Sequence, residues 1–338
     1  VTQTPIILVV DAKGMGKSVL ALIAGFLQYD TQHLIKGVLL NRMSKGYYDI
    51  VKPLIEKELS VKVVGYLPEQ KDIRLESRHL GLVMPDELAD IKEQLDELAG
   101  RLKKTIDLDM LLDIAAEAEE ITKTTNTEQM QIQNQNNTVN IAVAMDEAFC
   151  FYYEDNLRLL EKCGAKLQYF SPLHDTSLPK DCDAMLLGGG YPELYTKELS
   201  ENVSMRESIK KAFRAGLPTV AECGGFMYLH KYIHDICDGT DEQNKADVQN
   251  NADTQYNTDT QNDVSVSQLV GALDSECHFK GKLVRFGYIE LAEKNNNFLP
   301  PNEKIKAHEF HYYDSTDNGA DCIATKPATG RSYDCVIS

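Results

Sequence analysis

Apolar positions in this chain come in short dense runs, with polar positions filling the stretches between them. Ile6-Ile7-Leu8-Val9-Val10 is fully apolar, the pattern of a parallel strand buried on both faces. A second run, 37–42, ends in polar Asn41-Arg42, and a third, 61–66, closes at Leu67-Pro68. Helix-like segments separate them, the first reaching Leu27. The pattern restarts with a strand at 141–144 and a helix over 155–163 closed by Gly164, then strands at 166–170 and 184–187. A helix over 193–215 stops at Gly216-Leu217-Pro218. This repeated β-α-β alternation predicts an α/β fold of two doubly wound domains, with ligands at the carboxyl ends of the strands. Later, 283–291 and 304–311 read as strands on either side of a turn at 295–301.

Two other patterns interrupt this order. From Asp86 onward, Leu88, Ile91, Leu95, Leu98 and Leu102 recur at three- and four-residue steps, which predicts a surface helix with one apolar face. A second helix is predicted from Leu108 to Glu120. Residues 122–139 and 239–268 are polar, rich in Asn, Gln, Thr and Asp, and without period. Such tracts bury too little surface to offset the entropy of ordering. The expected organisation is a first domain over 1–121, a linker over 122–139 and a second domain over 140–338 that carries an insertion at 239–268.

The 338 residues are 43% hydrophobic, with no apolar run long enough to span a bilayer. No charged segment precedes an apolar one in the manner of a signal peptide, so the expected compartment is the cytoplasm. A net charge of −17 argues against nucleic acid and anionic membrane as partners. The eight Cys are scattered without a C-x-x-C pair, so they read as reduced thiols and supply no zinc site; no metal ligand is assigned.

Candidate chemistry concentrates in the second half. Leu217 to Leu229 writes a β-branched run, then Ala221-Glu222, then Cys223-Gly224-Gly225 and a helix-like segment. Small residues flank a nucleophile where a strand turns sharply into a helix, because the backbone there needs unusual φ/ψ. A helix N-terminus also favours thiolate over thiol. A buried Cys in an ordinary strand–loop–helix crossover fits the same letters. A thiol with a pKa of about 8.5 needs a base at neutral pH, and His is the usual one. His230 and His234 read as lying on the helix that leaves the turn, too near in sequence to face back, and His278 borders the polar tract. His308 and His311 sit at a strand end, where a side chain can reach the Cys. Gly188-Gly189-Gly190 follows another strand, and backbone N–H groups of Gly189, Gly190 and Gly224 are candidates for an oxyanion hole. In the first half, Gly16-Lys17-Ser18 suggests a phosphate loop, but that pattern requires Gly where Asp11 stands. The segment reads as a strand-to-helix turn, and Asp11 and Asn41 occupy strand ends.

Several strings resemble a known family. Ala221-Glu222-Cys223-Gly224-Gly225-Phe226-Met227-Tyr228-Leu229, Leu187-Gly188-Gly189-Gly190-Tyr191-Pro192-Glu193, Phe286-Gly287-Tyr288 and His308-Glu309-Phe310-His311-Tyr312 closely resemble cobyrinic acid a,c-diamide synthases. Val9-Val10-Asp11-Ala12, residues 37–42 and Glu76 to Val83 resemble the ATP-dependent amidation domain of that family. The resemblance implies a dethiobiotin-synthetase-like ATP domain joined to a class I glutamine amidotransferase domain. It implies a carbon–nitrogen ligase with glutamine as amide donor, ATP and Mg²⁺ as cofactors, and cobyrinate, a corrinoid of cobalamin biosynthesis, as acceptor. On it, Cys223 is the nucleophile, His311 fits the base better than His308, and Asn41 lies where related domains meet the adenine ring. It leaves open a homodimer, amidation of nickel-sirohydrochlorin, and a silent binding relative, the last disfavoured because Cys223 and His311 are both kept. The family has a phosphate loop ahead of the segment that opens this sequence and continues past its last strand, so truncation at both ends is expected. Related amidotransferases often place Glu two residues after the His; Tyr313 stands there, and no third member of a triad is assigned.

Overall fold

A computed structural model describes residues 3–70, 77–78, 81–82, 91–120, 138–237, 263–295 and 297–338. The chain divides into two compact units, Val1–Glu128 and Gln129–Ser338. Among the described residues, no helix is long and apolar enough to cross a membrane.

The first unit runs β1 (Ile6–Asp11), α1 (Ser18–Tyr29), β2 (Ile35–Asn41), α2 (Lys45–Leu59) and β3 (Lys62–Leu67). Its three strands pair in parallel in the order β1-β2-β3, with Asp11 opposite Asn41 and Asn41 opposite Leu67. Val19 and Ile23 of α1 and Val51 and Ile55 of α2 are fully buried against Val38, Leu40 and Val63. Each helix contributes a pair four residues apart, which is the spacing that puts two side chains on one face. A two-residue antiparallel pair follows, β4 (Ser77–Arg78) with β5 (Gly81–Leu82), then α3 (Ile91–Thr105) and α4 (Leu108–Ala116). The Asp107 carboxylate caps α4, accepting from the Met110 N–H at 2.9 Å. The leucine stripe of α3 is there in sequence, yet no residue of that helix is buried.

The second unit opens with β6 (Val139–Ala144), α5 (Glu154–Lys162), β7 (Ala165–Phe170) and β8 (Ala184–Leu187). A 3₁₀ turn (Pro192–Tyr195), α6 (Thr196–Glu201), α7 (Val203–Arg214), β9 (Thr219–Ala221) and α8 (Gly224–Leu229) complete the α/β part. The strands are parallel in the order β7-β6-β8-β9. Chain direction across the sheet reverses between β6 and β8, the switch point that opens a crevice at the carboxyl edge. Then come β10 (Tyr232–Cys237), β11 (Asp263–Gln268), β12 (Glu276–Phe279), β13 (Arg285–Glu293), β14 (Lys304–His311), β15 (Tyr313–Ser315), β16 (Cys322–Thr325) and β17 (Ser332–Cys335). They build a mixed sheet, β11-β10-β12-β15, and an antiparallel one, β14-β13-β16-β17. One core joins the parallel and mixed sheets: Ala142, Met185, Leu187, Met205, Ile209, Tyr228, Ile233, Cys277 and Tyr313 pack in a single buried cluster.

Three expectations need correction. The helix expected over 193–215 is three pieces, interrupted at Asn202, whose side-chain amide donates to the carbonyls of Pro172 (2.9 Å) and Asp175 (2.8 Å) while its Oδ1 accepts from Met205 N–H. A side chain that caps a new helix and ties down a distant loop ends the old helix. The insertion expected over 239–268 closes earlier, because 263–268 form β11 against β10; Asp-Val-Ser-Val-Ser alternates with period two, as an edge strand does. The rest of that tract, and 122–137, lie outside the described residues. Finally, His234 is on strand β10, since α8 stops at Leu229.

Candidate functional site

The carboxyl ends of β6, β8 and β9 meet at one edge of the second unit's parallel sheet. Cys223 follows β9 with φ 50° and ψ −112°, a left-handed conformation for a non-glycine residue, and caps the start of α8. Such geometry costs about 1–3 kcal/mol and persists only where the surroundings impose it. They do. The Glu222 N–H bonds the Leu187 carbonyl at 3.0 Å, and the Gly225 N–H bonds the Gly188 carbonyl at 2.9 Å, stitching the turn to the end of β8. Close approach is possible because Gly225 lacks a side chain: a Cβ there would lie 2.2 Å from the Leu187 oxygen.

The glycines after β8 form the other wall. The N–H groups of Gly224 and Gly190 stand close enough to the Cys223 sulfur to lower its pKa. A Cβ on Gly190 would stand 2.0 Å from the Ala148 oxygen, whereas one on Gly189 would make only ordinary contacts, 3.4 Å to Phe151 and 3.5 Å to the Cys223 Cβ. Of the three expected oxyanion donors, Gly190 and Gly224 are the two whose N–H groups act on the thiol. Gly189 lines the wall, its carbonyl accepting from the Phe151 N–H at 3.0 Å.

Electrostatics oppose ionisation of the thiol at rest. Cys223 is exposed as a residue, but its sulfur is packed closely by protein, and this burial, followed by the Glu193 and Glu222 carboxylates, pushes the thiol up to about 11. The two glycine N–H groups pull the other way without prevailing. A helix N-terminus was expected to favour thiolate; here burial and two nearby carboxylates outweigh it.

His311 ends β14 and is half-buried, while His308 on the same strand is exposed. The His311 Nδ1 lies 2.6 Å from the Tyr313 carbonyl oxygen. A carbonyl only accepts, so Nδ1 carries a proton and Nε2 is the nitrogen left to act as base. Among the described residues, no hydrogen bond joins that ring to Cys223; such contacts often tighten only when substrate binds. Glu193, a buried carboxylate, is near enough to the Cys223 thiol and to the Tyr313 hydroxyl of β15 to raise the pKa of each. The other histidines are engaged elsewhere. His230 is fully buried between the Phe226 carbonyl (2.8 Å) and the Ser315 hydroxyl (2.7 Å). His234 and His278 stack on each other.

Two residues that organise the edge escaped the sequence reading. The Tyr152 hydroxyl donates to the Ala144 carbonyl at 2.6 Å and accepts from the Gly188 N–H at 2.7 Å, bridging the ends of β6 and β8. Burial pushes its hydroxyl up to about 12, so it is a neutral clamp. Asp146 accepts from the N–H groups of Ala148 and Phe149 with one oxygen, and from the Ser171 hydroxyl and Leu173 N–H with the other. Its burial, which raises the carboxyl pKa, outweighs those four bonds. Both lie in the stretch Asp146 to Tyr153, which resembles the same family, but its letters assign neither a role.

The first unit's edge is of another kind. Arg42 has φ 55°, its N–H donates to the Asn41 side chain at 3.0 Å, and its guanidinium grips Asp11 through both carboxylate oxygens. That hydrogen bond holds the Asp11 carboxyl below its usual range. In the turn before α1, the N–H groups of Met15, Ser18 and Val19 bond carbonyls of the same loop, at 3.3, 3.1 and 3.4 Å.

A thiol on a strained strand-to-helix turn, packed against the glycine-rich end of a neighbouring strand of a parallel sheet, defines an α/β domain of the amidotransferase class. The family described as CobB/CobQ-like glutamine amidotransferase domain matches residues 140–335, and the chain belongs to it. Similar curated proteins include the cobyrinate a,c-diamide synthases of Caldanaerobacter subterraneus subsp. tengcongensis, 37% identical over 98% of this chain and 68% of its own length, and of Clostridium tetani, 37% identical over 91% and 62%. That of Priestia megaterium is 36% identical over 92% of this chain and 62% of its own. The chain thus spans roughly two thirds of these relatives, 62–68%.

Proposed function

We propose that this chain is part of a glutamine-dependent amide ligase that converts acetate carboxylates of cobyrinate to amides, the a and c side chains named by its relatives. The observation that carries the reading is the strained turn at Cys223, stitched to the glycine-rich end of β8 by the Glu222 and Gly225 N–H groups. In this mechanism the Cys223 sulfur attacks the side-chain amide carbon of glutamine as its proton passes to Nε2 of His311. Gly190 and Gly224 donate to the oxyanion that forms. The carbon–nitrogen bond then breaks, and the amide nitrogen leaves as ammonia with the proton returned by His311. Water, activated by the same imidazole, hydrolyses the thioester to glutamate. A thiol with a pKa near 11 leaves on the order of one molecule in ten thousand ionised at pH 7, so proton transfer accompanies attack and glutamine is needed to trigger it.

Ammonia is the nucleophile for the corrinoid carboxyl, whose activation we assign to ATP and Mg²⁺. Asn41 is the one residue assigned to the nucleotide, at the adenine, with its Oδ1 already bound to the Arg42 N–H.

The test is Cys223→Ala. Glutamate release from glutamine is expected to fall by about 10⁴-fold or more. Release at the wild-type rate would remove Cys223 from the reaction.

A further inference from the structure

On the face of the mixed sheet turned away from the core, two imidazoles and a carboxylate are gathered outside the thiol site. His234 of β10 and His278 of β12 are register partners in a parallel pair. Glu276 is two residues before His278 and so on the same face, since side chains alternate along a strand. The buried neighbours Ile233 and Cys277 point the other way, into the core. The His234 Nε2 is 2.8 Å from the Glu276 Oε2, and the His278 Nε2 is 3.8 Å from the same oxygen. The two rings stack at 4.2 Å with 14° between planes. One donor atom from each of the three residues lies within 4.8 Å of the other two.

We propose that His234, Glu276 and His278 form a binding site for a divalent transition ion of borderline softness, with Zn²⁺ the preferred occupant. The donor set is two imidazole nitrogens and one carboxylate, the chemistry such ions take. Bonds of about 2.0–2.1 Å to a tetrahedral ion separate its donors by about 3.3 Å, and the two separations to Glu276 fall on either side of that value. Histidine χ2 torsions are soft, so the stacked rings can turn until their nitrogens converge. A carboxylate only accepts, so the His234 Nε2 now carries a proton; ligation moves it to Nδ1 or to solvent. Three protein ligands leave a fourth position for water. Asp314 stands opposite His278 on β15, but its Oδ1 is held by the Ser315 N–H and the Asn318 side chain. Lys280 is a nearby cation acting on His278.

An ion here would pin β10, which follows the helix that begins at Gly224, to β12, across a sequence separation of 42 residues. Closing a loop of that length restricts the unfolded chain more than the folded one. Binding should therefore show as a gain in thermal midpoint as well as in a direct titration.

The experiment titrates the full chain, freed of metal by chelation, with Zn²⁺ alone by calorimetry and with Co²⁺ by visible absorption. The wild type is expected to take up one equivalent and to gain thermal midpoint. His234→Ala and His278→Ala should weaken uptake by about 100-fold or more and lose that gain, and Cys223→Ser should keep both. Glu276→Gln, nearly isosteric, repeats the test without a packing defect if either His variant fails to fold. The proposal is overturned if the wild type takes up no stoichiometric ion, if the Glu276 and His variants bind as the wild type does, or if the equivalent disappears with Cys223→Ser.

Discussion

At the carboxyl edge of the first unit's sheet, Arg42 has φ 55°; at the corresponding edge of the second, Cys223 has φ 50°. Around Arg42 the partners are charged and exposed: Asp11 on the guanidinium, and close by the Lys13–Glu69 ion pair. Around Cys223 they are backbone groups, the carbonyls of Leu187 and Gly188 and the N–H groups of Gly190 and Gly224, packed where no Cβ fits at Gly190 or Gly225. Solvent and salt screen the first kind of restraint and hardly reach the second. A positive φ is thus accompanied by adjustable side-chain charges in one unit and by fixed dipoles in the other. Fixed dipoles suit a site that must stabilise a transient oxyanion, because they need no reorganisation as charge develops.

The contrast can be broken most sharply at the base. His311→Ala should lower ammonia release from glutamine by about 10²–10⁴-fold, while His308→Ala on the same strand leaves it unchanged. Equal losses in both would remove the distinction that the Tyr313 carbonyl bond confers on His311.

Next in size is the pH dependence of the thiol. Burial, then Glu193, raise the thiol pKa, so the reactive thiolate is scarce below about 11 and grows with pH. Alkylation of Cys223 by iodoacetamide without glutamine should rise about tenfold per pH unit from 7 to 10. Glu193→Gln should shift that curve to lower pH. A plateau reached by pH 8 in the wild type would mean that the glycine N–H groups dominate after all.

The glycine wall gives the third test. Gly190→Ala places a methyl 2.0 Å from the Ala148 oxygen and should cost about 100-fold in glutamine hydrolysis, together with a lower thermal midpoint. Gly189→Ala, with contacts at 3.4 and 3.5 Å, should be mild in both assays. Tyr152→Phe leaves the Gly188 N–H without its partner and should destabilise the chain by about 1–3 kcal/mol in denaturant unfolding. Smallest of all, Asp11→Asn removes an exposed ion pair and should leave the unfolding midpoint where it was, with any difference vanishing as salt is added. A larger effect there than at Tyr152 would invert the comparison.

Much of this edge was legible in the letters. The dense apolar runs marked the parallel strands, and Ala-Glu-Cys-Gly-Gly marked the turn, because both patterns follow from local burial and local backbone demands. Tyr152 was not legible: its hydroxyl serves a carbonyl 8 residues away and an N–H 36 away. Nor was the break at Asn202, which depends on carbonyls some 27–30 residues earlier. The strand at 263–268 was hidden by a polar composition that outweighed its two-residue period, and His234 by a helix taken to run past Leu229.

The sequence by itself determined the strands of the two parallel sheets, the turn that carries the thiol and the strand that ends at His311, since periodicity and turn chemistry are properties of neighbours along the chain. Only the tertiary structure decided that the thiol is protonated at rest, that His311 rather than His308 is held with a basic Nε2, and that His234 meets Glu276 and His278. Those outcomes depend on burial, on carboxylates and on carbonyls brought together from distant positions, and such fields exist only after the strands have packed.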